Sequence, residues 1–86
     1  MARFHRQGRA ALLIAETEDE RALLQHARRH GDEVVLVEAC YPVLGRAVVL
    51  PDGIDEAAAL RVRQAFVDAA ASHGEATRRR GQFEVV

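Results

Sequence analysis

Apolar residues are concentrated in one stretch of the chain, residues 34–50, and this stretch predicts the centre of the fold. It consists of two runs rich in Val and Leu, residues 34–40 and 46–50, separated by Pro42 and Gly45. Apolar runs of this length, bounded by Pro and Gly, are typical of buried β-strands joined by a turn. The pattern therefore predicts a β-hairpin.

A helical pattern precedes the hairpin. Thr17 and Glu20 have the spacing of a capping box, in which each side chain bonds to the backbone N–H of the other residue. Acidic residues follow in the first turn and two arginines lie in the last turn, as the helix dipole favours. The pattern predicts a first helix over residues 18–30 that ends at Gly31.

A second helical pattern follows the hairpin. Asp52 or Asp55 is the expected cap, and Gly74 is the expected end. At 100° per residue, one apolar face is expected to pack on the core and contains Ala58, Val62, Ala65, Phe66 and Ala69. A narrower apolar stripe on the opposite side contains Leu60, Val67 and Ala71.

The remaining segments complete a single predicted domain over residues 1–86. Residues 1–8 have no clear period and are predicted to form a mobile arm. Residues 9–15 are predicted to form a strand that is apolar on both faces. Residues 75–80 are rich in Arg and predict a polar connection. Residues 81–86 alternate weakly between polar and apolar side chains, as in a short edge strand.

These elements follow one another in the order β-α-β-β-α-β, which is an α+β pattern. The order resembles the ferredoxin-like topology, in which one antiparallel sheet carries both helices on one face. Right-handed crossovers then give the strand order 4-1-3-2, with residues 9–15 and 46–50 at the centre of the sheet.

Both predicted central strands carry apolar side chains on both faces, whereas the helices would cover only one face. A contiguous apolar surface is rare on a monomer, and the thin core of an 86-residue domain would gain from further burial. The pattern therefore favours a homodimer packed sheet to sheet. The residues expected at the interface are Val48, Val49, Leu60, Val67 and Ala71.

Composition indicates the compartment in which the protein is expected and the kind of genome that encodes it. The lone Cys40 excludes an internal disulfide and agrees with a reducing compartment. The apolar residues 10–15 are too few for a secretory signal and no run reaches membrane-spanning length, so a cytoplasmic location is expected. All 12 basic residues are Arg, which indicates the coding bias of a GC-rich bacterial genome.

The chain lacks the motifs of several activities known for this architecture. One cysteine is not enough for an iron–sulfur cluster or for a Cys-x-x-Cys metal carrier. The predicted central strands contain no aromatic residue on which RNA bases could stack, and the acidic residues 16–20 would repel phosphate where acylphosphatases bind it. The chain also has no P-loop and no G-x-S-x-G motif, so no cofactor is expected.

Histidine spacing predicts one candidate metal site. His26 and His30 are four positions apart on the first predicted helix, so their rings share one side and can bind one metal ion. His5, at the same edge of the predicted sheet, is expected to complete the site, with Asp52 or Asp55 as further candidates. His73 is expected at the opposite end of the domain.

A second candidate site lies at the predicted hairpin turn. Cys40 and Tyr41 are expected there, near His73 at the end of the second helix. A thiol close to a histidine is the minimum for nucleophilic catalysis, and the same groups can bind a ligand. Three consecutive arginines, residues 78–80, are expected at this edge as well, where they could meet the acidic residues 16–20.

Three functions remain open. The leading hypothesis is a small homodimeric module that binds a ligand or another protein and has a regulatory rather than a catalytic role. The alternative is a small enzyme of the dimeric α/β-barrel type, with an apolar pocket between two sheets. The third is nucleic-acid binding through the Arg-bearing termini, which a net charge of −1 disfavours. The expected partner is a second copy, with a small molecule or another protein as the other candidates, and no membrane.

Overall fold

The computed structural model describes the backbone of residues 1–85 and the side chains of residues 1–79. Its elements, in chain order, are β1 (Arg3–Gln7), β2 (Ala10–Ile14), α1 (Glu18–Arg29), β3 (Glu33–Leu36), β4 (Ala39–Leu44), β5 (Ala47–Leu50) and α2 (Glu56–Val85). The strands form one antiparallel sheet in the order β1-β2-β5-β4-β3. The α+β class is therefore confirmed.

The ferredoxin-like prediction is wrong, because the observed element order is β-β-α-β-β-β-α rather than β-α-β-β-α-β, and the strand order is not 4-1-3-2. The first error concerns residues 1–8, which were expected to form a mobile arm. Instead β1 pairs with β2 across a turn at Gly8, whose φ is +63°. Most side chains of β1 are polar and exposed, so the period-2 signal of a half-buried strand is weak there.

The second error concerns residues 34–50, which form three strands rather than two. One tight turn is made by Val37 and Glu38, and the next begins at Gly45. Pro42 does not turn the chain but lies inside β4, beyond the part of β4 that pairs with β5. Proline has no backbone N–H, but at this position no hydrogen bond between β4 and β5 is lost.

The third error concerns the C-terminal part of the chain. The predicted connection 75–80 and the predicted edge strand 81–86 are a continuation of α2 through Val85, and Val86 lies outside the described residues. Gly74 does not end the helix. It is buried inside the helix, where α1 approaches so closely that a Cβ atom would lie 2.7 Å from Oδ2 of Asp19.

The predicted helix starts are confirmed. Thr17 Oγ1 accepts a hydrogen bond from the N–H of Glu20 at 3.1 Å, and the Glu20 carboxylate accepts one from the N–H of Thr17 at 3.0 Å, which completes the capping box. At the start of α2, Asp55 Oδ1 accepts a hydrogen bond from the N–H of Ala58 at 2.7 Å. Both helices therefore begin where side-chain acceptors satisfy their first N–H groups.

The core lies between one face of the sheet and the two helices. Leu13 of β2, Val48 of β5 and Phe66 of α2 are fully buried at its centre. Leu24 contributes from α1, and Val62 contributes from the predicted core face of α2.

We predict that the turn between β3 and β4 stores strain that a double substitution releases. Val37 and Glu38 both have positive φ, +51° and +60°, as in a type I′ turn, although neither is a residue that favours this region. The variant Val37→Asn/Glu38→Gly should therefore gain about 1 to 2 kcal/mol in free energy of unfolding, measured by urea denaturation. Glu38→Ala keeps a Cβ atom and should gain nothing.

We also predict that Gly74 and Asp19 are energetically coupled. A Gly→Ala change inside a helix normally stabilises it by about 1 kcal/mol, but here the new Cβ would overlap the Asp19 carboxylate. Gly74→Ala should therefore stabilise the Asp19→Ala background more than it stabilises wild type, where the Asp19 carboxylate must first move aside. A thermodynamic cycle from urea titrations should give a coupling of about 1 kcal/mol or more. Equal effects in both backgrounds would contradict the close contact.

Candidate functional site

The sheet face that points away from the helices carries a continuous apolar patch. Leu13 and Val48 point into the core, so their neighbours Leu12 and Val49 point the other way and lie side by side across the β2–β5 pairing. No described element packs on this face, where Leu44 is 70% exposed. We call it the open face, and its apolar members are Leu12, Ile14, Val35, Cys40, Pro42, Leu44, Ala47 and Val49.

The two edges of the open face carry opposite charges. On the β1 edge, Arg3 pairs with Ile14 and His5 pairs with Leu12, and both polar side chains are exposed. On the β3 edge, the exposed Glu33 shares the open face. The apolar patch therefore lies between a basic edge and an acidic edge.

A second feature is a cluster of three histidines where α1 and α2 meet. The ring of His26 lies 4.4 Å from the ring of His30, between centroids, and 5.1 Å from the ring of His73. His26 and His73 also line one hollow of about 360 Å³, together with Arg29. We call these residues the histidine cluster.

The structure pairs His26 with His30 as expected, but it brings His73 rather than His5 to them. The expectation that His73 lies at the opposite end of the domain is wrong, because it depended on the incorrect topology. His5 lies in β1 and lines a different hollow, of about 330 Å³, with Phe4 and residues of α2. Within residues 1–79, no three His, Cys, Asp or Glu side chains are arranged in this conformation to hold a metal ion.

The residues predicted near the hairpin turn do not form one site. Cys40 and Tyr41 are neighbours within β4, so their side chains point to opposite faces of the sheet. Tyr41 packs against the core, whereas Cys40 is an exposed free thiol on the open face. His73 belongs to the histidine cluster instead.

The predicted interface residues are divided between three places. Val48 is fully buried in the core, and Val49 is half-buried on the open face. Leu60 and Ala71 are exposed on α2, and Val67 is half-buried there. Only Val49 therefore belongs to the apolar patch of the sheet.

One ion pair joins two residues that were predicted to lie near each other in the fold. Arg78 of α2 approaches the Asp19 carboxylate to 3.4 Å, and both side chains are more than a third exposed. Exposed pairs of this kind contribute about 0 to 1 kcal/mol, so this pair orients the helices more than it stabilises them.

Glu20 is a buried charged residue whose full role sequence reasoning missed. It is 2% exposed, and its carboxylate accepts hydrogen bonds from the N–H groups of Ala2, Glu16 and Thr17 at 2.7 to 3.0 Å. The spacing of the capping box predicted the bond to Thr17, but no local signal predicts the long-range bond to Ala2. On its other side, Ala2 accepts a hydrogen bond from Nε of Arg63 at 2.7 Å.

Burial acts to raise the pKa of Glu20, but the three N–H donors and the nearby positive amino group outweigh it. The net result is a pKa below the ordinary value for a glutamate. The arrangement holds the start of the chain against both helices and is structural rather than reactive.

No family model, curated protein or solved structure is detectably similar to this chain. Within the described part of the chain, no helix combines the length and apolar character needed to cross a membrane. The open face and the edges of the sheet are therefore the features from which a function can be inferred.

We predict that the contribution of Glu20 to the free energy of unfolding decreases as the pH falls. A carboxylate whose pKa is lowered by folding stabilises fully above its unfolded pKa, about 4.3, and loses that contribution as pH falls through its folded pKa. Glu20→Gln should cost about 1 to 3 kcal/mol at pH 7, and the difference from wild type should shrink below about pH 4.

Urea denaturation from pH 7 down to pH 3 measures this difference. Glu18→Gln is the matched control, because it removes an exposed carboxylate from the same helical turn. It should change the free energy of unfolding at pH 7 by no more than about 0.5 kcal/mol. An equal decrease in the free energy of unfolding for both variants would contradict the structural role of Glu20.

Proposed function

We propose that this protein is a self-associating interaction module, without catalytic chemistry of its own, whose open face packs against the open face of a second copy. The observation that carries the proposal is the apolar patch on that face, where Leu44 and Val35 are 70% and 65% exposed. Contiguous apolar surface of this kind marks interaction sites on soluble domains. The middle of the patch is aliphatic, which supports packing rather than chemistry.

The size of the open face indicates a dimer of modest affinity. Five strands about 4.8 Å apart, with about five residues each, present a face of about 400 Å². Two copies would then bury about 800 Å² in total, which is below the range of stable specific interfaces and typical of weak, transient ones. We therefore expect a dimer that dissociates on dilution.

The charges at the two edges favour one symmetric arrangement. A two-fold axis parallel to the strands, passing over the central strand β5, places the β1 edge of one copy over the β3 edge of the other. Arg3 and His5 then face Glu33 of the second copy. An axis perpendicular to the strands would instead place the β1 edge over the β1 edge and the β3 edge over the β3 edge, which like-charge repulsion disfavours.

We predict that a charge placed in the apolar patch abolishes association. Leu44→Glu should give a monomer at every concentration while leaving the fold intact, because this side chain is already exposed in one copy. Sedimentation equilibrium from low micromolar to high micromolar concentration measures this. Leu60→Glu is the matched control, because Leu60 is also exposed but lies on α2 rather than on the sheet.

A charge exchange tests the arrangement of the two copies. Arg3→Glu and Glu33→Arg should each weaken the dimer, and the double variant should restore it. A wild-type chain that is monomeric at the highest concentration would overturn the proposal. Loss of association in Leu60→Glu but not in Leu44→Glu would place the interface on α2 and would also overturn it.

A further inference from the structure

The strand β1 lies at one edge of the sheet, and no described strand pairs with its outer side. The two-residue turn between β1 and β2 makes Gln7 and Ala10 a hydrogen-bonded pair, and the pairing alternates along β1 from there. Phe4 and Arg6 therefore direct their backbone N–H and C=O groups away from β2. A strand edge of this kind is a template on which another extended chain can pair.

The first two turns of α2 run beside this edge, in the direction opposite to β1. At one end, Nη2 of Arg6 donates a hydrogen bond to the carbonyl oxygen of Ile54, just before the helix, at 3.1 Å. At the other end, Nε of Arg63 donates one to the carbonyl oxygen of Ala2, just before β1, at 2.7 Å. The strand and the helix therefore form the two walls of a groove.

The floor of the groove is apolar. A hollow of about 330 Å³ lies between β1 and α2, and its apolar lining comes from Phe4 and Ala11 of the sheet and from Ala59 and Leu60 of the helix. Leu60 is 49% exposed, so its side chain is accessible from the groove. Pockets for small ligands measure about 300 to 1,000 Å³, so this hollow suits an aliphatic side chain better than a large ligand.

The charge along this edge is basic. Arg3 and His5 lie on the open-face side of β1, and Arg6 lies on the helix side. These groups oppose pairing with the β1 edge of a second copy, where like charges would meet, and they favour an acidic segment. Of the residues that line the hollow, Glu56 alone is acidic. Acidic side chains of a partner are therefore expected on the open-face side of the strand edge, away from Glu56.

We propose that the groove between β1 and α2 binds an extended acidic peptide segment of another protein, which adds to the sheet as a further edge strand. The backbone groups of Phe4 and Arg6 pair with the segment, and an aliphatic side chain enters the hollow beside Leu60. Its neighbours in the segment then face Arg3 and His5. Because side chains alternate between the two faces of a strand, the expected pattern is acidic–aliphatic–acidic.

The groove and the proposed dimer interface can be separated by experiment. The hollow contains no apolar member of the open face, so Leu44→Glu leaves it unchanged. Arg3 and His5 face Glu33 of the second copy in the proposed dimer, so a dimer would compete with the acidic side chains of a peptide. Binding is therefore measured with wild type and with Leu44→Glu, in which no dimer is expected.

The probe is a fluorescein-labelled peptide, Gly-Glu-Leu-Glu-Leu-Glu-Gly with blocked ends, titrated with the full chain and followed by fluorescence anisotropy. Leu44→Glu should bind it at least as well as wild type, with the weak affinity of a short flexible peptide. Leu60→Glu should weaken binding at least about tenfold, because the new carboxylate blocks the hollow and repels the peptide. Leu44→Glu is the matched control, since it places the same charge on another exposed leucine.

Two changes to the peptide test its charge and its backbone. Replacing the three glutamates by lysines should weaken binding at least about tenfold, since basic groups would then meet. N-methylation of both leucines should differ in effect from N-methylation of the glutamates that flank them, because only alternate N–H groups of the added strand bond to β1. Equal effects of the two methylated peptides would contradict strand addition.

Backbone amide chemical shifts locate the bound peptide, and the proposal expects the changes at Phe4, Arg6 and Leu60. Absence of binding by both wild type and Leu44→Glu at millimolar concentration would overturn it, as would equal affinity for the lysine peptide. Changes confined to the β3 edge would place the peptide elsewhere and also overturn it. If Leu44→Glu still dimerises, with amide shifts along β1 in the absence of peptide, the edge belongs to a second copy and the proposal is wrong.

Discussion

The buried carboxylate of Glu20 is the interaction on which the architecture depends. It accepts hydrogen bonds from the N–H groups of Glu16 and Thr17, just before α1, and of Ala2, just before β1. Arg63 donates a hydrogen bond to the carbonyl oxygen of Ala2, so the backbone of this one residue is bonded to both helices. A charge in a low-dielectric site is tolerated only when it is bonded in this way, and the long-range bond to Ala2 is made only when the start of the chain is in place. The first strand is therefore held to the helical layer at one end and to β2 along its length.

The open face follows from the same arrangement. Both helices lie on the side of the sheet where Glu20 and Ala2 meet, and the three hairpin connections are short turns. No described segment remains to cover the other side, although its residues are largely aliphatic. The histidine cluster has a related origin, because packing α1 against α2 across a glycine brings the end of one helix beside the middle of the other.

Local signals in the sequence predicted the parts of the fold that depend on neighbouring residues. Each of three such features depends on residues only a few positions apart in the sequence: the capping box at Thr17, the cap at Asp55 and the core face around Val62 and Phe66. Their partners are backbone groups or a helical stripe, so no knowledge of topology was needed.

The features that the sequence did not predict depend on tertiary context. The turn at Val37 and Glu38 lacks the glycine or asparagine that usually marks positive φ. The continuation of α2 past Gly74 depends on a helix–helix contact rather than on a local stop signal. For the candidate sites, the i, i+4 spacing predicted the pairing of His26 with His30, whereas the position of His73 required the correct topology.

The place of β5 in the sheet has a consequence for how the chain folds. This last strand lies between β2 and β4, so the sheet becomes continuous only when Ala11 meets Leu50, about 40 positions away. Closing a loop of that length costs about 3 kcal/mol of chain entropy, whereas the two-residue hairpins cost little. We expect two locally folded halves, an N-terminal hairpin with α1 and a later three-stranded meander, to form first. The docking of these two halves through the β2–β5 pairing would then be the rate-limiting step of folding.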